Sequence, residues 1–341
     1  MNYAFASDNC AGADKRIMKA IERANEGFVL SYGDDKYTEA ATQAFKKEFG
    51  EDIKVYFVYN GTGANTVSLG SILKPYQAII TPEFSHISVD ETGAPEKYTG
   101  SKILLCPTDN GKLTVEDIKP HLEVLGTVHH SQPKIVSITN STEEGTLYTT
   151  DEIKTICDFA HKHGLYVHMD GARIGNAAAA LNKSLKEITK DCGVDVLSFG
   201  GTKGGMMFGE AVVFFNKDLG EDFGYYRKNG TQLHSKMRFI SAQFEAYLGE
   251  KIYLENGRHA NEMCQHFYGK LKELDGIQFI HKPEVNGIFL KMPDKLSQRV
   301  LKKYFFYDMD TKEGKVLRLM CSFATKKEDI DDFVRILKQE K

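Results

Sequence analysis

The sequence predicts an α/β fold: a large domain on a mostly parallel sheet with helices on both faces, then a smaller α+β domain. Three observations carry this. Short β-rich runs alternate with helical stretches through the first two thirds of the chain. After about residue 245 the texture changes to one long charged helix and short strands. The length, 341 residues, exceeds what one simple core holds. The expected division is 15–245 for the large domain, with 1–14 and 246–341 forming the small one.

Taken in order, 55–59 reads as a strand, 62–73 as a helix, and 78–81 and 102–105 as strands. Thr114 starts a helix, with Asp117 three residues on completing a capping box. A buried strand is expected at 134–139 and a helix at 150–163. Further strands fall at 166–170, 195–199 and 211–215. Beyond the change in texture a helix spans 251–274, and strands follow at 277–280, 288–291 and 316–321. Thr325 and Glu328 form a second expected capping box. It precedes a last helix with Ile330, Phe333, Ile336 and Leu337 on one face.

Composition excludes several classes of function. Hydrophobic residues are 41% and charged residues 27%, ordinary for a soluble globular protein. Net charge is −3 with both signs interspersed, so no basic surface for nucleic acid or an anionic membrane is expected. Apolar runs stop at about five residues, where a membrane span needs roughly 20. The N-terminus carries Asp8, Asp14, Lys15 and Arg16 and no apolar segment of the kind that directs export. Six cysteines are scattered without a C-x-x-C pair, which reads as reduced thiols in the cytoplasm. The close histidine pairs, His129-His130 and His161-x-His163, lack the spacing of a metal site, so no metal is expected.

Four features sit just past predicted strands, where α/β sheets bind ligands. The first is Asn60-Gly61-Thr62-Gly63-Ala64-Asn65. Glycines let the backbone approach an anion, and free N–H groups at a helix start point at it. A dinucleotide fingerprint is the alternative, but Thr66 stands where its third glycine belongs. The second is His168-Met169-Asp170-Gly171-Ala172-Arg173. An aspartate at a strand end can pair with a cationic ring nitrogen, or simply cap the next helix. Arg173 can reach a phenolate oxygen or a carboxylate. The third is Gly200-Gly201-Thr202-Lys203-Gly204-Gly205, an accessible lysine bracketed by glycines that can condense with an aldehyde. The fourth is His86, after Pro82-Glu83-Phe84-Ser85, placed to stack on a planar ring, act as a base, or cap a helix.

The order glycine turn, histidine, Asp-x-x-Arg, lysine is that of fold-type I pyridoxal-phosphate (PLP) enzymes. The chain resembles the low-specificity L-threonine aldolases of the aromatic amino acid β-eliminating lyase and threonine aldolase family. Matching stretches include Ser7-Asp8-Asn9, Tyr32-Gly33-Asp34-Asp35, Ser85-His86-Ile87, Gly209-Glu210-Ala211 and Val316-Leu317-Arg318, besides those above. The resemblance implies an α/β/α sandwich and PLP as cofactor. It implies that Lys203 holds PLP covalently, Asp170 pairs with its ring nitrogen, and His86 stacks on the ring. Gly61, Thr62 and Gly63 would cradle the phosphate, and Ser7, Arg173 and Arg318 would bind the substrate carboxylate. A further family histidine lies near the substrate hydroxyl. An ungapped count back from Asn140 places His129 there, with His130 beside it. Tyr32 would enter from a neighbouring subunit of a homodimer or homotetramer, with Lys236 and Arg238 as further cross-subunit candidates. The chain departs from the family at Gly204, where relatives often have asparagine, and over 140–145. The implied reaction is cleavage of L-threonine or L-allo-threonine to glycine and acetaldehyde. β-Elimination or transamination on the same scaffold is the alternative, and a PLP-binding protein without turnover is a third reading.

Overall fold

The computed structural model describes residues 1–311 and 314–338. Its large sheet contains β1 (Lys54–Val58), β2 (Gln77–Pro82), β3 (Lys102–Cys106), β4 (Gln132–Thr139), β5 (Tyr166–Gly171), β6 (Val196–Gly200) and β7 (Glu210–Phe214). The strand order is β1-β7-β6-β5-β4-β2-β3. Only β7 runs against its neighbours, pairing antiparallel with both β1 and β6. Strands β6 and β7 are buried along their whole length. Both faces of such a sheet are covered, so its central strands read as unbroken apolar runs. The expected strands each appear within one or two residues of the sequence reading. The capping boxes at Thr114–Asp117 and Thr149–Glu152 start helices in the crossovers that follow β3 and β4.

On one face the helices Lys36–Phe49 and Arg238–Gly249 bring Phe45 and Phe244 onto the sheet. Phe45 meets Phe199 edge-on at 5.1 Å, and Phe244 stacks on Phe57 at 5.3 Å. Such pairs add to the area they bury, and their rigidity keeps the strand ends in register.

The second sheet is antiparallel throughout, in the order β10-β11-β9-β8. Its strands are β8 (Gln278–Phe279), β9 (Gly287–Lys291), β10 (Tyr307–Thr311) and β11 (Gly314–Met320). Strand β10 is absent from the sequence reading. Asp308 and Asp310 in its run Tyr-Asp-Met-Asp-Thr disfavour a strand, and pairing with β11 supplies what propensity lacks. The long helix Ile252–Leu271 joins the two cores. Ile252 and Tyr253 pack in the first, and Met263, Cys264, Phe267 and Leu271 in the second. The Thr325 hydroxyl, expected to cap the last helix, accepts from the Ser322 N–H at 2.8 Å.

The N-terminal stretch is threaded through the second core. Phe5 lies 4.8 Å from Phe267 and 5.4 Å from both Tyr304 and Phe333. The Met320 N–H donates to the Phe5 carbonyl at 2.9 Å. This anchoring delivers the next residues, Ser7 and Asp8, to the carboxyl edge of the large sheet.

Candidate active site

At that edge a cavity of about 290 Å³ is lined by Asn60, Gly61, Thr62, Asn65, His86, Asp170, Thr202, Lys203 and Glu210, among others. Most come from a strand end or from the loop or helix start beyond it, while Asn65 reaches in from the helix after β1 and Glu210 from the start of the antiparallel β7.

Asp170 closes β5 and is buried. Its carboxylate accepts from the Asn65 Nδ2 at 2.8 Å and from the Ala172 N–H at 2.9 Å. Burial alone would raise its pKa. The Lys203 charge and these hydrogen bonds outweigh burial and hold it below the usual carboxylate range. Beneath it His168 is fully buried, with Nδ1 2.9 Å from Ser137 Oγ and Nε2 3.0 Å from Ser198 Oγ. Burial pushes this imidazole down to about 4. It is therefore neutral and serves as a bridge across β4, β5 and β6.

Lys203 lies in the glycine-rich loop between β6 and β7. Burial first, and then the neighbouring Arg173 charge, lower the pKa of its amine. A larger fraction of free amine makes a better nucleophile toward an aldehyde. Glu210, the first residue of β7, accepts from the Gly201 N–H. Burial raises its carboxyl to about 7.

At the turn after β1, Asn60 caps the helix Gly61–Ile72 and its Oδ1 takes the Gly63 N–H at 2.7 Å. Gly63 does not line the cavity. Its expected place in the anion cradle is thus corrected to one of packing: a Cβ there would come within 2.2 Å of the Gln232 side chain. Gly61 and Thr62 do face the cavity, at the positive end of that helix.

Arg173 Nε and Nη2 hold Asp8 at 2.6 and 2.9 Å, a fork that orients the guanidinium and leaves Nη1 uncommitted among the described residues. Asn286 Nδ2 adds a third contact to Asp8 at 3.2 Å. The Ser7 hydroxyl accepts from the Asn9 N–H at 3.2 Å and so shapes the turn beside the pair. Arg318, on β11, has a buried Nε without a partner among the described residues. Burial and the nearby Arg173 lower its pKa. The Asp8 carboxylate on Arg173 offsets part of that repulsion.

His86 lines the cavity from above the sheet. Its Nδ1 lies 2.7 Å from Glu91 Oε1, and its backbone N–H donates to Glu143 Oε1 at 2.8 Å. That Glu91 bond raises its pKa against the opposing effect of burial. Burial and the nearby Asp170 raise the pKa of Glu143 itself.

His129 is not brought to this cavity. It is exposed in the turn just before β4, pinned by Gln132 at the amino edge of the sheet. Strand β4 runs the seven steps from Gln132 to Thr139, roughly 23 Å at 3.3 Å per residue. His130 shares the turn, so any site either serves belongs to another copy. Arg238, an expected cross-subunit candidate, donates within its own chain to the carbonyls of Ala24, Glu26 and Gly27. Helix ends carry unpaired carbonyls, and this guanidinium satisfies them. Lys236 and Tyr32 are exposed.

The description "Beta-eliminating lyase" fits residues 4–295 of the sequence. The chain belongs to the beta-eliminating lyase family. Within the family it is 40% identical over 323 residues to a low specificity L-threonine aldolase of a Pseudomonas species, covering 94% of this chain and 93% of that one. A Pseudomonas aeruginosa protein of the same description is 39% identical over 97% of this chain and 96% of its own. Among solved structures, a Leishmania major threonine aldolase superposes with a TM-score of 0.93 at 31% identity, covering 98% of both chains.

The family is PLP-dependent, and the cavity suits that cofactor. A depressed lysine, a carboxylate held ionised in a buried position, and a helix N-terminus opening on Gly61 and Thr62 answer its aldehyde, ring nitrogen and phosphate. Five side chains that hold the site together were not assigned roles from sequence: Asp8, Asn65, Glu91, Glu143 and Glu210. Asp8, Asn65 and Glu210 lie in stretches that match the family, and Glu210 also stands out as a carboxylate opening an otherwise apolar strand.

Proposed function

We propose that this chain cleaves L-threonine and L-allo-threonine to glycine and acetaldehyde with PLP. The observation that supports this best is the convergence of Lys203, Asp170 and His86 on one cavity, with Arg173 and Arg318 beside it. PLP, once bound, supplies the sink for the electrons of the breaking Cα–Cβ bond. Lys203 would hold the cofactor through its amine. Arg318 and the free edge of Arg173 bind the substrate carboxylate, with Ser7 shaping the turn behind them. Asp170, kept ionised, stabilises positive charge on the ring nitrogen. Gly61 and Thr62 bind the phosphate. His86 takes the proton of the β-hydroxyl, the step that separates aldol cleavage from β-elimination.

The neighbouring subunit enters the same proposal. Phe28, Leu30 and Tyr225 are exposed at 105%, 72% and 79%. Tyr32 lies beside Tyr225's helix, with Lys228 over its ring and its N–H bonded to the Ser235 carbonyl. A homodimer, or a homotetramer built from it, would cover this apolar stretch and bring Tyr32 toward a second site. No helix among the described residues is long and apolar enough to cross a membrane. With six free cysteines, we place the protein in the cytoplasm.

The test is acetaldehyde release from L-threonine by the PLP-loaded protein, coupled to NADH oxidation by alcohol dehydrogenase, with a K203A control. Release that vanishes in K203A is the expected result. Ammonia and a keto acid in place of acetaldehyde would transfer the chain to β-elimination.

A further inference from the structure

We propose that Glu91 is a positioning residue that fixes His86 in the tautomer with its proton on Nδ1, leaving the Nε2 lone pair as the base at the substrate β-hydroxyl. This rests on the aldol reading above and assigns its proton transfer to one nitrogen.

The geometry carries it. The Glu91 side chain is wholly buried, at 0% exposure. Its Oε1 lies 2.7 Å from His86 Nδ1 and accepts from Asn65 Nδ2 at 2.9 Å. The same Asn65 Nδ2 donates to Asp170 Oδ2 at 2.8 Å. An amide nitrogen has two protons, and here each meets one carboxylate. Both Glu91 and Asp170 are therefore acceptors, and Asn65 Oδ1 is left buried without a partner among the described residues. A carboxylate oxygen facing Nδ1 repels a lone pair and attracts a proton, so the proton sits on Nδ1. Nε2 forms no hydrogen bond among the described residues, and the ring, one third exposed, borders the cavity. The logic is that of the buried aspartate behind the histidine of serine proteases. One amide thus ties Asp170 to the carboxylate behind His86.

In the step itself the β-hydroxyl proton passes to Nε2 and the O–H electron pair becomes the carbonyl of acetaldehyde. The Cα–Cβ pair stays with Cα, which takes back one proton, so glycine and acetaldehyde account for every atom of threonine.

Four charged or titratable groups face His86. Glu91 and Asp170 favour its protonated form, Lys203 disfavours it, and Glu143 accepts from its backbone N–H. Glu91→Gln keeps an oxygen for both Nδ1 and Asn65, removes the charge, and puts an NH2 group where Oε2 now accepts from the Thr66 hydroxyl at 3.5 Å. In PLP-loaded E91Q, the imidazole signals that disappear in H86N should titrate at lower pH than in the wild type, by ¹⁵N-histidine NMR. The acid limb of kcat/KM should move to lower pH with them, and kcat should fall by about 100-fold. A merely structural role would lower kcat and leave both titrations in place, and that result overturns the proposal. E91D, which keeps the charge, should titrate nearer the wild type than E91Q, and the reverse order also overturns it. Should the wild type release no acetaldehyde, the aldol reading falls, while the NMR titration still decides whether Glu91 governs His86.

Discussion

His86–Glu91 at the carboxyl edge of the large sheet and His161–Asp195 at its amino edge are built alike, with nitrogen–oxygen distances of 2.7 and 2.8 Å. What differs is the rest of each carboxylate's company. Asp195 Oδ2 also accepts from the Val167 N–H at 2.8 Å, and Oδ1 accepts from Asn216 Nδ2 at 3.4 Å. It ties β5 to the turn after β7, and His161 ties a helix end to both. Glu91 instead shares Asn65 with Asp170, and its histidine faces a cavity. The same pair of groups is a clamp at one edge and a proton carrier at the other. A histidine–carboxylate contact therefore has no function by itself; the second nitrogen and the second oxygen decide.

Breaking the carboxyl edge should produce the largest effects. D170A removes the carboxylate opposite the ring nitrogen. PLP should still bind through Lys203, seen by its absorbance, while kcat falls by roughly 10³-fold. An unchanged kcat would remove Asp170 from the chemistry.

The two histidines then give the direct comparison. H86N should lower kcat by about 10² to 10⁴-fold with little change in Tm. H161N should leave kcat unchanged and cost at most about 1 kcal/mol of stability, because that pair is partly exposed. Loss of activity in H161N, with the fold intact by circular dichroism, would erase the distinction between the edges.

The smallest effect is on stability against pH. Glu210 is raised in the folded protein to about 7 from an ordinary 4.5. The folded state thus holds a proton that the unfolded chain has released across that window. Stability falls as pH rises from about 4.5 to 7, by at most about 3 kcal/mol. E210Q removes the penalty, so apo E210Q should melt higher than apo wild type at pH 8 and at the same temperature near pH 4. A constant Tm difference across that range would mean that folding leaves the Glu210 pKa where it is in the unfolded chain.

Much of the candidate site was legible because local signals mark residues that line the cavity. Lys203 is bracketed by glycines, Asp170 ends an apolar run, and Gly61 and Thr62 start a helix just after a strand. Glu91 was not legible: it is one of 47 acidic residues, five positions beyond His86, in a stretch with no periodicity. Its role needs Asn65 to arrive from the helix after β1 and Asp170 from the end of β5. Gly63 shows the opposite case. Its pattern suggested an anion contact, but Asn60 claims its N–H and Gln232 fills the space a side chain would need.

By itself the sequence determined the alternation of strands and helices, their approximate bounds, and the glycine turn, aspartate and lysine that share one edge. Those follow from periodicity, caps and punctuation, all local in the chain. Tertiary structure alone decided which ends of the strands meet, and so placed His129 at the far edge and Asp8 beside Arg173. It also decided which carboxylates stay ionised, because desolvation and partner charges depend on neighbours distant in sequence. Strand β10 belongs with these: Asp308 and Asp310 disfavour it, and only β11 makes it a strand.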